Sequence, residues 1–288
     1  MTKISIIGSG IVGSAMGNGF RKLGNEVIFF DIDKKKVKQL QQLGLDATND
    51  LKYAVNNSEI SFICVPTPTK DGKIDLSYIK SATENLALSL KTKQAYHLVV
   101  VKSTVVPLTT EKVLIPILSK ISGKKVGQEI GICVNPEFLT EKQLLTGDFF
   151  SEERIVIGEF DKRSGDTLQA LYERLKKPII RTDLKTAEMI KYACNCALAS
   201  RISYWNEIYY LCQHLGIDQN LVGSAAAMDK RIGKYGTLSG KAFGGTCLPK
   251  DLEAFISFSE QLGYEPKLLK AVWEINERIK KENGVLEK

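Results

Sequence analysis

The sequence predicts an α/β fold: a doubly wound, Rossmann-like parallel sheet, then an all-helical region built on one long helix. Three observations carry the prediction. Short apolar runs alternate with helical patterns from Lys3 to about Ile180, the signature of repeated βαβ units. The glycine-rich turn Gly8-Ser9-Gly10-Ile11-Val12-Gly13 sits between the first run and the first helical pattern. From Asp183 to about Leu215 the apolar spacing is helical without a break, and further helical patterns follow. The expected domains are residues 1–182 and 183–288.

Totals bound the function. The 288 residues suffice for two cores, and 43% apolar with 25% charged residues is ordinary for a globular chain. The formal charge of +7 suits an anionic small molecule. No basic tract alternates with aromatics, so nucleic acid is not an expected partner. No apolar run reaches membrane length, and the chain opens on a strand-like segment without a leader pattern. Six cysteines include no C-x-x-C pair, and the Cys194/Cys196 spacing within a helix does not suit zinc. No metal is expected, and free thiols suit a reducing cytoplasm.

Taken in order, Lys3 to Ile7 is a strand, the pattern through Leu23 a helix, and Val27 to Phe30 a second strand ending at Asp31. Gly8, Gly10 and Gly13 in this setting let a pyrophosphate approach the helix N-terminus. Asp31 is placed to accept a ribose 2′-OH and repel a 2′-phosphate, so the expected cofactor is NAD rather than NADP. Lys34 to Leu43 reads as a helix, Glu59 to Val65 as a strand ending at Pro66-Thr67-Pro68, and Leu76 to Leu90 as a helix. Tyr96 to Val101 is a strand ending in Lys102-Ser103-Thr104, Pro107 to Ser119 a helix, and Ile130 to Val134 a strand ending in Asn135-Pro136-Glu137. Arg154 to Ile157 and Ile179 to Ile180 are short strands around a helix near Asp166 to Leu175. Ligands in such sheets lie beyond the carboxyl ends of the strands. Asp31, Pro66-Thr67-Pro68, Thr104, Glu137 and Glu141 all follow strand ends.

The long helix has Asp183 as its N-cap and Gly216 at its end. Glu188, Lys191, Asn195, Ile202 and Asn206 fall within one stripe about 60° wide. That stripe is either a solvated face or a functional one. Leu221 to Ala227, Leu252 to Leu262 and Lys267 to Lys281 are further helices. Between them lies Phe243-Gly244-Gly245-Thr246-Cys247-Leu248-Pro249-Lys250-Asp251. Glycines admit close approach of a ligand, and a nearby cation favours the nucleophilic thiolate. If a helix starts at Pro249, Asp251 shares a face with Cys247, one turn away. That pairing suits covalent catalysis with a water-activating carboxylate. The bland alternative is a buried cysteine in a glycine-rich turn.

With these motifs in hand, the chain resembles the UDP-glucose/GDP-mannose dehydrogenase family along essentially its whole length. The Gly-Gly-Thr-Cys-Leu-Pro-Lys-Asp segment and Arg201-Ile202-Ser203-Tyr204-Trp205-Asn206-Glu207 carry the resemblance most specifically. It implies NAD-dependent oxidation of a nucleotide sugar's C6 primary alcohol to the carboxylate, UDP-glucose to UDP-glucuronate. It further implies that Cys247 captures the aldehyde as a thiohemiacetal, oxidised to a thioester that water hydrolyses. Lys191 and Asn195 would stabilise the oxyanion, Asp251 a water, and Glu141 would be the base for hydrolysis. Thr104 and Glu137 would order water and substrate. The implied cofactor set is Gly8, Gly10, Ile11, Val12, Gly13, Asp31, Lys36, Pro66, Thr67, Thr104 and Lys250. The implied substrate set is Glu137, Phe138, Leu139, Glu141, Lys191, Asn195, Arg231, Phe243 and Gly244. Arg231 matches an arginine that reaches a neighbouring subunit's substrate, so a homodimer through the long helix is implied.

The chain departs from the family pattern at Ser239-Gly240-Lys241-Ala242, where a Pro-Gly-x-Gly run is usual. Ala242-Phe243 looks more like GDP-mannose dehydrogenases, and Asp229 to Gly233 more like UDP-glucose dehydrogenases. Lys250-Asp251 argues against the UDP-N-acetylmannosamine branch. Lys288 falls about where a second Rossmann-like domain would begin in family members. A separate polypeptide carrying that domain, a truncation, or a short form acting on GDP-mannose or a smaller alcohol are the alternatives. So is a non-catalytic NAD-binding role.

Overall fold

The computed structural model describes residues 1–146 and 149–286, with the side chains of Glu141 and Leu144 outside the described set. Contacts divide the chain into two units. The first is Met1–Thr67 with Asp75–Lys191, and the second is Pro68–Ile74 with Tyr192–Lys288. The division therefore falls inside the long helix rather than at its start, and a short insertion from the sheet region goes with the helical unit.

The first unit holds an eight-stranded sheet. Its strands are β1 (Lys3–Ile7), β2 (Glu26–Phe30), β3 (Ala47–Thr48), β4 (Ile60–Ile63), β7 (His97–Val101), β8 (Ile130–Val134), β9 (Ile155–Glu159) and β10 (Ile179–Asp183). The second unit contributes the hairpin β5 (Thr69–Lys70) and β6 (Lys73–Ile74). The order β10-β9-β8-β7-β4-β1-β2-β3 reverses direction of growth at β1. That reversal is the switch point where doubly wound sheets leave a crevice. Successive residues of each strand face opposite layers. Ile7, Ile63, Val99 and Val101 pack under α3 (Leu51–Asn56), α4 (Ser77–Leu90) and α5 (Ile115–Ser122). Ile4, Ile6, Phe62, Leu98 and Val100 pack under α1 (Ile11–Lys22), α2 (Lys34–Gln42) and α7 (Lys162–Tyr172). Phe20, Phe62, Phe149 and Tyr172 form an aromatic cluster there, each burial worth about 1.5–3 kcal/mol.

The sheet is not wholly parallel. β9 runs antiparallel to β8, with Cys133 opposite Glu159. Among the described residues, the connection between them holds the short α6 (Glu141–Leu145) and a 3-10 turn, too little to cross a face of the sheet and return parallel. The helix expected from Pro107 begins later, with a π turn at Thr110–Leu114 ahead of α5. Leu108, at φ 73°, interrupts the helical path before it.

The helix α8 (Leu184–Leu215) matches expectation, with Asp183 accepting the Thr186 N–H at 2.8 Å and Gly216 left-handed at its end. Around its second part stand α9 (Gln219–Ala226), α10 (Leu248–Gln261) and α11 (Lys267–Asn283). Their core joins Cys196, Ala199, Ile202, Phe243, Leu252 and Val272. The β5–β6 hairpin turns at Asp71 and Gly72, both with positive φ, the geometry of a type I′ turn. Thr69 Oγ1 donates to the Lys250 carbonyl at 2.9 Å, pinning the first turn of α10.

Candidate active site

In the first unit, β1 delivers the chain to Gly8, whose φ of 95° strains any side chain and whose Cβ would lie 2.9 Å from the Cys64 carbonyl oxygen. A Cβ at Gly13 would fall on the Gly8 carbonyl oxygen, whereas one at Gly10 meets nothing within 4 Å. The outer glycines thus close the turn, and the middle one leaves open space over the head of α1. Ile11 there is exposed, and Val12 is partly buried. No side chain caps α1 and no acid stands in its first turn, so its N–H groups and dipole are open to an anion.

Asp31 is buried. Its Oδ2 accepts the Ser9 N–H at 3.0 Å and its Oδ1 the Asp33 N–H at 2.9 Å, with Lys36 Nζ 3.5 Å away. A carboxylate fixed in this way keeps further lone pairs for a ribose hydroxyl. These residues fit a dinucleotide. Pro66 is exposed, while buried Thr67 donates from Oγ1 to the Thr104 carbonyl at 2.7 Å, joining the turns after β4 and β7.

The turn after β8 is organised around a buried ammonium. Lys102 Nζ lies 3.2 Å from Glu137 Oε2 and donates to Asn135 Oδ1 and the Pro136 carbonyl at 3.2 and 3.3 Å. Burial alone would lower the lysine's pKa, yet Glu137, Tyr172 and Glu152 around it together outweigh burial and hold it above the ordinary value. Glu137 Oε1 accepts the N–H groups of Phe138 and Leu139 at 2.9 and 2.7 Å. The carboxylate expected to order water and substrate thus first braces its own turn through both oxygens. Lys191 donates to the Glu137 carbonyl, and its ammonium lies 5.4 Å from the Phe138 ring centroid. Arg154 covers the same ring at 4.4 Å. Glu141 opens α6, but its side chain, the expected hydrolytic base, lies outside the described residues.

In the second unit, Cys247 is the N-cap residue of α10. Among the six cysteines, all free, it alone is exposed, which removes the buried-cysteine alternative. Burial pushes the Cys64 and Cys196 thiols up to about 12, leaving them unreactive. Asp251 stands one turn into α10, 1% exposed, and its N–H bonds the Cys247 carbonyl at 2.9 Å. Asn195 donates to Asp251 Oδ2 at 2.6 Å, and Lys250 pairs with Oδ1. The cation expected to favour the thiolate thus sits on Asp251. Phe243, expected to touch substrate, is 2% exposed with its ring in the apolar core. It is a packing residue, since an aromatic ring gains most from burial there. Gly244 is required: its Cβ would strike Val285. Arg231 is exposed, its guanidinium forked onto Asp229 at 2.6 Å.

Glu188, Lys191, Asn195, Ile202 and Asn206 are all buried, so their stripe is not a solvated face. Burial pushes Glu188 up to about 7. Sequence reasoning gave no role to Lys102, Asn276 or Asn283. Lys102 carried one signal, a lysine directly after the apolar run Leu98 to Val101.

Residues 2–45 and 41–176 match the NAD binding domain of the UDP-glucose/GDP-mannose dehydrogenase family, and residues 185–278 match its central domain. The chain belongs to the UDP-glucose/GDP-mannose dehydrogenase family. It is an NAD-dependent nucleotide-sugar dehydrogenase. A GDP-mannose 6-dehydrogenase of Pseudomonas syringae pv. syringae is 39% identical over 95% of this chain and 68% of its own length. UDP-glucose 6-dehydrogenase AglM of Haloferax volcanii is 38% identical over 96% of this chain and 69% of its own. The structure of a UDP-glucose dehydrogenase from Pyrobaculum islandicum superposes with a TM-score of 0.91 at 37% identity, covering 96% of this chain and 68% of that one. No helix among the described residues is long and apolar enough to cross a membrane.

Proposed function

We propose that the chain carries out the two-step oxidation of a nucleotide sugar's C6 alcohol to the carboxylate, UDP-glucose to UDP-glucuronate, through Cys247. The carrying observation is the exposed thiol at the head of α10, with a buried, amide-held carboxylate one turn behind it. NAD, when bound, accepts the hydride that leaves C6 in each oxidation. The Cys247 thiolate adds to the aldehyde carbon, converting a carbonyl into a carbinol that can lose a second hydride. The resulting thioester is cleaved by water, releasing carboxylate and thiol. Lys191 and Asn195 serve the developing oxyanion, Asp251 holds a water, and Glu141 is the base for hydrolysis. Thr104 orders the water.

GDP-mannose is the second reading, favoured by relatives of that activity at 37–39% identity beside UDP-glucose enzymes at 36–38%. A homodimer through α8 is supported by exposed Tyr204, Leu211 and Leu215. Their spacings of seven and four residues put them on one face. Arg231 then serves the neighbour's substrate, and six free thiols suit the cytoplasm. The test is NADH formation by the purified chain with NAD and UDP-glucose, GDP-mannose and free sugars in parallel. Two NADH per UDP-glucose support the reading. Two per GDP-mannose move it to the second. No NADH from any sugar contradicts both unless a separate C-terminal-domain polypeptide restores turnover.

A further inference from the structure

The backbone just ahead of Cys247 is gripped by buried amides from two helices. Asn206 of α8 accepts the Gly240 N–H at 2.8 Å and donates to the Lys241 carbonyl at 2.9 Å. Asn276 of α11 accepts the Phe243 N–H at 2.8 Å and donates to the Phe243 carbonyl at 3.2 Å. Asn206 is 0% and Asn276 1% exposed. Asn283 donates to the Gly240 carbonyl at 3.0 Å. The chain leaving α11 adds a bridge, with Ala242 N–H to the Gly284 carbonyl at 3.1 Å and Leu286 N–H to the Ala242 carbonyl at 2.9 Å.

A carboxamide offers a donor and an acceptor on one short arm, the pair a peptide group needs on each side. An apolar residue at either position would orphan a buried N–H and C=O, which is costly. The grip lies close to the thiol, since only Gly244, Gly245 and Thr246 separate Phe243 from Cys247. The same helix that carries Asn206 carries Asn195, bonded to Asp251. Eleven residues of α8 span about 16 Å, so one rigid rod sets both the loop and the carboxylate.

We infer that Asn206 and Asn276 are positioning residues for Cys247, fixing residues 240–243 so that the thiol is presented at one place beside Asp251. Its catalytic meaning rests on the proposed role of Cys247, but the positioning itself does not. Geometry matters because a misplacement of about 1 Å can cost about 10²-fold in rate.

The test uses the whole chain and no turnover, so failure of the dehydrogenase reading leaves it intact. Hydrogen exchange is read for residues 240–243, and alkylation by iodoacetamide is read peptide by peptide. Cys196 and Cys212, both buried, report general loosening. In Asn206→Ala or Asn276→Ala the loop amides exchange at least tenfold faster and Cys247 alkylates at least threefold faster, with Cys196 and Cys212 unchanged. Asn276→Asp, which keeps the acceptor for the Phe243 N–H, falls between. Should the alanine variants not fold, Asn206→Asp and Asn276→Asp carry the same comparison. Unchanged Cys247 alkylation overturns the inference, as does a parallel rise at Cys196 and Cys212.

Discussion

Replacing Lys102 with methionine removes the ammonium at the centre of the turn after β8. Its partners are the Glu137 carboxylate at 3.2 Å, Asn135 Oδ1 and the Pro136 carbonyl. The lysine side chain is 0% exposed and that of Glu137 9%, so water cannot take over the pairing. Breaking one partner of a buried pair typically costs about 3–5 kcal/mol, mostly for the charge left behind. For a unit of this size that lowers Tm by roughly 6–20 °C, at about 2–4 °C per kcal/mol. The assay is urea unfolding followed by circular dichroism, with thermal melts alongside. Lys102→Met/Glu137→Gln removes the stranded charge, and glutamine can still accept the Phe138 and Leu139 N–H groups. The double variant should recover more than half of the loss. A single-variant loss under about 1 kcal/mol, or strict additivity in the cycle, would refute the reasoning.

Other outcomes follow from the same contacts. Gly13→Ala places a Cβ on the Gly8 carbonyl and should abolish NAD binding, while Gly10→Ala should leave the fold intact; calorimetric titration with NAD and a thermal melt separate the two. Asn195→Ala leaves buried Asp251 one partner short, costing about 1–3 kcal/mol in urea unfolding. Burial raises Glu188 and Glu152 to about 7, so the folded state holds protons that the unfolded chain has lost. Their contribution is full below the unfolded value near 4.5 and fades as pH rises through about 7. Stability should fall by roughly 1.4 kcal/mol per pH unit per group between pH 5 and 7, and Glu188→Gln should halve that slope.

Local pattern made the sheet and its point of reversal legible. Gly8, Gly13 and Asp31 declare themselves through spacing after strands: a Cβ at either glycine would meet backbone, and Asp31 accepts the Ser9 N–H of the same turn. The exposed thiol of Cys247 and the Asp251 carboxylate one turn on were legible too, because Pro249 marks the start of a helix. What spacing could not reveal was partnership over long separations. The Lys102–Glu137 pair joins residues 35 apart, and Asn276 reaches Phe243 across 33. The two backbone donors that Glu137 accepts, from Phe138 and Leu139, come from the fold of its own turn, which spacing does not show. The antiparallel β9 was hidden for a related reason: strand direction depends on what the connection covers, not on strand composition.

The most direct test of the central claim is a rapid quench of the chain turning over a nucleotide sugar with NAD, followed by peptide mass analysis of Cys247. A covalent adduct of sugar mass on the Cys247 peptide, absent in Cys247→Ser, together with two NADH per sugar in the wild type, is the expected result. Full two-NADH turnover by Cys247→Ser with no adduct on any cysteine would contradict it.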